Sequence, residues 1–169
     1  GLCQMKTLNL GFNKITSIAG VAPSFEDIPE LESLYLNNNG LVRVETGAFL
    51  ESPRSLGTLY LFENSIANIE ANAFAGLGGM EELRLDNNLL TDLSLDALSG
   101  ISTANLAILA LPNNRFEGSR LDANLFSGFE NLAFLNLMGN PGTECSMFRF
   151  ANFLTCRDDL LPPNLQQVD

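Results

Sequence analysis

The chain has 169 residues, the length of one ordinary domain, and its 9 basic and 20 acidic side chains give a net charge of −11. This charge leaves no basic stripe for phosphate groups, which argues against binding to nucleic acid or to an anionic membrane. The absence of histidine excludes Ser-His-Asp, Cys-His and HExxH chemistry within these residues, so we expect no catalytic residues and no enzyme activity.

A single sequence pattern recurs along the chain. It consists of an apolar residue, a leucine three positions later, a second leucine two further on and an asparagine three after that. The six copies are Met5/Leu8/Leu10/Asn13, Leu31/Leu34/Leu36/Asn39, Leu56/Leu59/Leu61/Asn64, Met80/Leu83/Leu85/Asn88, Leu106/Leu109/Leu111/Asn114 and Leu132/Leu135/Leu137/Asn140. Successive asparagines are 24 to 26 residues apart. Along nearly the whole chain, this pattern resembles that of the leucine-rich repeat family.

Each part of the repeat predicts a part of the fold. The two leucines of Leu-x-Leu point to one face of a short strand, and stacked copies place these strands in one parallel sheet. The repeated asparagine is expected to bind backbone groups of the neighbouring turn, forming an asparagine ladder. Apolar positions after each asparagine fill the convex side, where a phenylalanine spine is predicted that includes Phe25, Phe49, Phe74 and Phe126. The resemblance implies an α/β solenoid, a horseshoe with the parallel sheet on its concave face and mostly irregular convex segments.

The segments differ in their predicted roles. Residues 1–140 form the six repeats, with an N-terminal end that we expect to be truncated. Residues 141–157 form a C-terminal cap, because a solenoid needs a cover over the last turn of its core. Within the cap, Met147, Phe150, Ala151 and Leu154 recur at the spacing of an amphipathic helix. Residues 158–169 are expected to form a tail or linker.

The cysteines bear on the cap and on where the protein works. Cys145 and Cys156 bracket the predicted helix, and their positions fit either a disulfide or two buried free thiols. The segment resembles the cysteine-containing C-terminal caps of extracellular leucine-rich repeat proteins, which implies the disulfide. The usual Cys-x-Cys pair is reduced here to Cys145, and Cys3 has no obvious partner. Resemblance to the "typical" extracellular subtype implies a location outside the cell or at its surface rather than in the cytoplasm.

Candidate binding residues are those that flank the repeated leucines and therefore face outward from the sheet. Exposed tyrosine, phenylalanine and arginine on neighbouring strands have the composition of a binding hot spot. The predicted partner-binding residues are Tyr35, Tyr60, Phe62, Arg84, Asp86 and Phe12, and a second, apolar group consists of Ile108, Pro112, Phe134 and Met138. Aromatic residues on a sheet surface also satisfy strand propensity without any ligand. Glu82, Arg84 and Asp86 are expected to form a local charge network.

The leading functional hypothesis is a protein-recognition module that binds a protein or peptide on the concave face. One alternative is the sensing or substrate-selecting arm of a larger enzyme, such as a receptor kinase or ubiquitin ligase, and another is a structural spacer. The acidic charge favours a partner with a basic or mixed surface. No cofactor or metal site is predicted, and no apolar stretch approaches the roughly 18 residues of a membrane span, so we expect no membrane contact by this segment. The oligomeric state is left open.

Overall fold

The computed structural model describes residues 2–18 and 27–149 with their side chains, and residues 155–157 by their backbone. The strands are β1 Thr7–Asn9, β2 Ser33–Tyr35, β3 Arg43–Val44, β4 Thr58–Tyr60, β5 Asn68–Ile69, β6 Glu82–Arg84, β7 Ile108–Ala110, β8 Phe134–Asn136 and β9 Thr155–Arg157. Helical segments are α1 Leu95–Leu98 and 3-10 helices at Leu2–Gln4, Gly118–Arg120 and Cys145–Met147. Each Leu-x-Leu motif thus begins in a three-residue strand.

The predicted parallel sheet is present in the described part of the chain. Its order is β1-β2-β4-β6-β7-β8-β9, and every neighbouring pair is parallel. The first strand leucines, Leu8, Leu34, Leu59, Leu83, Leu109 and Leu135, are direct register partners. Each repeat therefore adds one strand without a shift in register, which confirms the predicted solenoid.

The convex side is mostly irregular, as predicted. There β3 and β5 form a separate two-stranded parallel sheet, and α1 is a single short helix. The stacking predicted for the phenylalanine spine is present between Phe49 and Phe74, whose ring centroids are 6.0 Å apart. Neighbouring strands lie about 4.8 Å apart, so the wider convex spacing curves the array toward the sheet. Leu98 replaces phenylalanine in the next repeat, and Phe25 lies outside the described residues.

The asparagine ladder is confirmed and runs toward the preceding repeat. Asn88 Nδ2 donates to the carbonyl oxygens of Leu61 at 3.0 Å and Leu85 at 3.1 Å, while its Oδ1 accepts from the backbone N–H of Ile66 at 2.9 Å. The same contact to the preceding repeat joins Asn39 to Leu10, Asn64 to Leu36, Asn114 to Leu85 and Asn140 to Leu111. Each amide therefore binds two repeats together, and each carbonyl in the ladder, such as that of Leu61, accepts from the asparagines of both repeats.

The cap is described in part, and its described residues Phe148 and Arg149 are not helical. Met147 ends a 3-10 helix, and the predicted amphipathic helix is absent at Phe148 and Arg149; residues 150–154 lie outside the described part. Phe148 is buried instead, with its ring 4.9 Å from that of Phe126 in an edge-on contact. The chain then returns to the sheet as β9, which places Cys156 beside Leu135 in register. The segment predicted as a cap thus adds a seventh strand.

The cysteine predictions have different outcomes. Cys3 is an exposed free thiol. The side chain of Cys156 lies outside the described residues, so the Cys145–Cys156 disulfide stays a prediction.

Candidate functional site

Three adjacent strands bring most of the predicted binding residues together. Tyr35 on β2 is the register partner of Tyr60 on β4, and Tyr60 is the register partner of Arg84 on β6. Phe62 and Asp86 lie two residues further along their repeats and face the same way, because side chains alternate along a strand. We call Tyr35, Tyr60, Phe62, Arg84 and Asp86 the concave cluster.

The aromatic rings of the concave cluster contact one another directly. The ring centroids of Tyr35 and Tyr60 are 4.9 Å apart, and those of Tyr60 and Phe62 are 5.6 Å apart, with tilted planes. All three side chains are half-buried by this contact. The cluster therefore presents a continuous aromatic surface that is already ordered by its own packing.

Arg84 fixes one side of this aromatic surface. Its guanidinium carbon lies 4.9 Å from the ring centroid of Phe62 and 5.4 Å from that of Tyr60. Its Nε donates to Asp86 Oδ1 at 3.3 Å, and Nη2 donates to the other carboxylate oxygen. The carboxylate raises the pKa of Arg84 mainly through these hydrogen bonds. Asp86 is 8% exposed and Arg84 37%, so the pair stays partly shielded from water.

The predicted charge network is divided into two parts. Arg84 and Asp86 pair with each other, whereas Glu82 accepts a hydrogen bond from the Tyr60 hydroxyl at 3.1 Å. Burial of the phenol raises the pKa of Tyr60, and the negative charge of Glu82 raises it further. Glu82 is thus a member of the site that the predicted set of binding residues omitted. The position of Glu82 directly before Leu83 could have identified it as a site residue, because that position faces outward beside β4.

Tyr60 is expected to ionise at a higher pH than an ordinary tyrosine, because burial and Glu82 both disfavour the phenolate. The chain has two tyrosines and no tryptophan, so alkaline titration of the ultraviolet absorbance of a Tyr35→Phe variant reports Tyr60 alone. Adding Glu82→Gln should lower the pKa of Tyr60, while Glu51→Gln, at an exposed site away from the sheet, should leave it unchanged. An ordinary pKa in the Tyr35→Phe variant would contradict the contact with Glu82.

The predicted apolar group lies on the next two strands. Ile108 and Phe134 are register partners on β7 and β8 and are half-buried, as is Met138. Pro112 is buried, so it offers little surface to a partner. The accessible part of this group consists of the other three side chains.

Phe12 stands apart from the concave cluster. It is 80% exposed and has a positive φ of 56°, at the turn where the first repeat leaves the sheet. The equivalent residues Asn38, Glu63, Asn87 and Asn113 share this left-handed conformation, which asparagine tolerates better than phenylalanine. None of the ring contacts among the described residues includes Phe12.

Other kinds of site receive no support in the part of the chain that is described. No group of three acidic or cysteine side chains there is arranged to hold a metal ion. Two open clefts of about 530 Å³ and about 500 Å³ include residues such as Gly76 and Asp92, and neither contains a member of the concave cluster. No helix among residues 2–18 and 27–149 is long and apolar enough to cross a membrane.

Comparison with known proteins matches the family described as leucine rich repeat over residues 29–90 and 54–116, and a two-copy form of the repeat over residues 3–46. Human lumican is 28% identical over 148 residues, covering 82% of this chain and 42% of lumican. The chain spans less than half the length of the curated relatives it matches. These relatives are extracellular leucine-rich repeat proteins.

Solved structures share the fold. A crystal structure of TLR13 with a single-stranded RNA superposes with a TM-score of 0.70 at 29% identity, covering 79% of this chain and 18% of that one. The octameric complex of latrophilin 3, Unc5D and the leucine-rich repeats of FLRT2 gives a TM-score of 0.69 at 26% identity, covering 82% of this chain and 40% of its match. These proteins thus share the repeat solenoid fold of this chain.

Proposed function

Since the chain belongs to the leucine-rich repeat family, we propose that it is a protein-recognition module whose concave cluster binds a protein or peptide partner. The observation that carries this proposal is the contact between Tyr35, Tyr60 and Phe62 on an accessible sheet face, with Arg84 held across the rings by Asp86. Tyrosine and arginine are enriched among the residues that contribute most to binding energy, and phenylalanine is enriched in protein interfaces.

Order in the free protein favours binding through this surface. The rings pack on one another and Arg84 is hydrogen-bonded, so these side chains lose little conformational freedom when a partner docks. The strands beneath are tied together by the asparagine ladder and do not need to rearrange. The affinity for a partner then depends on the contacts that it makes with the concave cluster, because little free energy is spent on ordering these side chains.

The relatives and the charge support a protein partner outside the cell. Leucine-rich repeat proteins generally mediate protein–protein interaction, and the FLRT2 repeats belong to a complex with two other proteins. The TLR13 structure contains RNA, but this chain carries a net charge of −11, which opposes binding of a polyanion. Because its relatives are extracellular, we place this protein outside the cell or at its surface.

The proposal is tested by affinity capture from the native source with a matched control. The site variant is Tyr35→Ala, Tyr60→Ala, Phe62→Ala and Arg84→Ala. The control replaces three exposed apolar residues and one exposed arginine away from the sheet: Val42→Ala, Leu50→Ala, Leu95→Ala and Arg54→Ala. Circular dichroism and thermal unfolding establish that both variants are folded.

We expect specific partners to be captured by the wild type and the control and to be lost from the site variant. Equal capture by all three proteins would refute the assignment of the concave cluster. Loss from the control alone would move the binding surface to the convex side.

A further inference from the structure

The charged groups of the concave face differ in whether they are already paired. Residues 33–37, 58–63 and 82–87 contain one cation, Arg84, and three carboxylates, Glu63, Glu82 and Asp86. Arg84 gives two hydrogen bonds to Asp86 and lies against two rings. A partner carboxylate would therefore have to compete with Asp86 for the cation of this surface.

The other two carboxylates are not neutralised. Among the described residues, Glu63 and Glu82 form no ion pair, and Glu82 accepts a hydrogen bond from the neutral hydroxyl of Tyr60. Glu63 is exposed directly after Phe62, at the edge of the ring surface. The aromatic surface is thus bordered by two carboxylates that form no ion pair among the described residues.

The cation–π contacts of Arg84 leave one ring of the concave cluster, that of Tyr35, without a cation. Arg84 shows that the faces of Tyr60 and Phe62 accept a guanidinium at about the distance of a cation–π contact. Tyr35, on the far side of Tyr60, has no cation over its ring in the described part of the chain. Tyr35 is therefore the ring of this surface on which a basic side chain from a partner can stack, and the two neighbouring repeats carry the carboxylates of Glu63 and Glu82.

We propose that the partner segment which docks on the concave cluster is a basic stretch of polypeptide, whose arginine or lysine side chains stack on Tyr35 and pair with Glu63 and Glu82. This inference rests on the proposed function and gives the chemical class of the partner. Arg84 has a positioning role in it, because it holds the rings and neutralises Asp86 without contacting a partner anion. An acidic or a purely apolar segment is the competing outcome.

Binding of defined peptides tests the inference. Three fluorescein-labelled peptides of about twelve residues share one glycine, serine and leucine framework and differ only in carrying arginine, glutamine or glutamate at four positions. Fluorescence anisotropy measures the affinity of each peptide for the folded protein at low and at physiological salt. We expect the arginine peptide to bind about tenfold more tightly than the glutamine peptide and the glutamate peptide to bind most weakly. Salt should reduce the preference.

Charge-matched variants separate a local effect from the charge of the whole molecule. Glu63→Gln with Glu82→Gln removes two charges at the cluster, and Glu51→Gln with Asp92→Asn removes two exposed charges elsewhere. The glutamine at position 82 keeps an oxygen that can accept from Tyr60. We expect the first pair to weaken binding of the arginine peptide about fivefold or more and the second pair to weaken it less than twofold. Tyr35→Leu should also weaken it, because it removes the aromatic face.

Two results would overturn the inference. One is equal or tighter binding of the glutamine or glutamate peptide, and the other is equal weakening by both charge-removing pairs. If the peptides show no preference while captured partners still depend on the concave cluster, the basic class is wrong and the proposed function stands. If capture is also independent of the cluster, both are wrong.

Discussion

Asn88→Ala is expected to lower the free energy of unfolding by about 3 kcal/mol, because it removes a buried side chain that satisfies backbone groups of two repeats. Asn88 is 4% exposed. Without it, the N–H of Ile66 loses the acceptor that lies at 2.9 Å, and the carbonyl of Leu61 loses one of its two amide donors and keeps that of Asn64 at 3.0 Å. Urea unfolding followed by circular dichroism measures the change.

Asn13→Ala provides the matched control for Asn88→Ala. Asn13 occupies the same position of the repeat, but it is exposed and donates only to Leu10 and Gly11 of its own repeat, both at 3.0 Å. We expect a loss below about 1 kcal/mol, since water can replace these contacts. Equal losses for the two variants would contradict a stabilising role of the ladder between repeats.

Phe74→Ala is expected to cost about 3 to 5 kcal/mol of unfolding free energy. The side chain is fully buried, and its ring stacks at 6.0 Å on that of Phe49 in the preceding repeat. Truncation removes most of its apolar area and leaves a cavity between two repeats that the paired strands cannot close by moving. The same urea measurement applies, with the midpoint as the most sensitive reading.

Phe12→Ala is the control for the spine prediction. Phe12 is 80% exposed and has a left-handed backbone, so its removal eliminates little buried area. We expect a change within about 0.5 kcal/mol of zero. A cost for Phe12 comparable to that for Phe74 would contradict the assignment of the spine as the interior of the convex side.

The fold was predictable because the same pattern of leucines and asparagine recurs six times. Leu-x-Leu fixes which side chains are buried, and the constant place of the asparagine fixes how far each repeat advances. The match in register between Leu34, Leu59 and Leu83 follows directly from that regularity. No single copy carries this information, whereas stacking makes the copies mutually consistent.

The cap was predicted less well because it occurs once. The spacing of Met147, Phe150, Ala151 and Leu154 predicts a helix, whereas Met147 ends a 3-10 helix and Phe148 packs against Phe126; residues 150–154 lie outside the described part of the chain. Phe148 contacts Phe126 of the fifth repeat, and a short apolar pattern does not encode such a non-local contact. Strand β9 contains no Leu-x-Leu motif, so the repeat pattern did not predict that the chain pairs with the sheet there.

The arrangement of the concave cluster was predictable in part. Alternation along the strands correctly places Tyr35, Tyr60 and Arg84 side by side. The pairing of Arg84 with Asp86 rather than Glu82 was not predictable. It depends on side-chain rotamers, whereas strand alternation gives only the face of the sheet on which each side chain lies. The separation of Phe12 from the cluster likewise depends on the left-handed turn that ends its repeat.

Site-specific photo-cross-linking tests the central claim most directly. A benzophenone amino acid is placed at Tyr35 in the concave cluster and, in a separate protein, at Leu50, which is 60% exposed away from the sheet. After irradiation in the native source, we expect a covalent adduct with a protein partner from position 35 and none from position 50. Adducts from position 50 alone would contradict partner binding by the concave cluster and place the binding surface on the convex side.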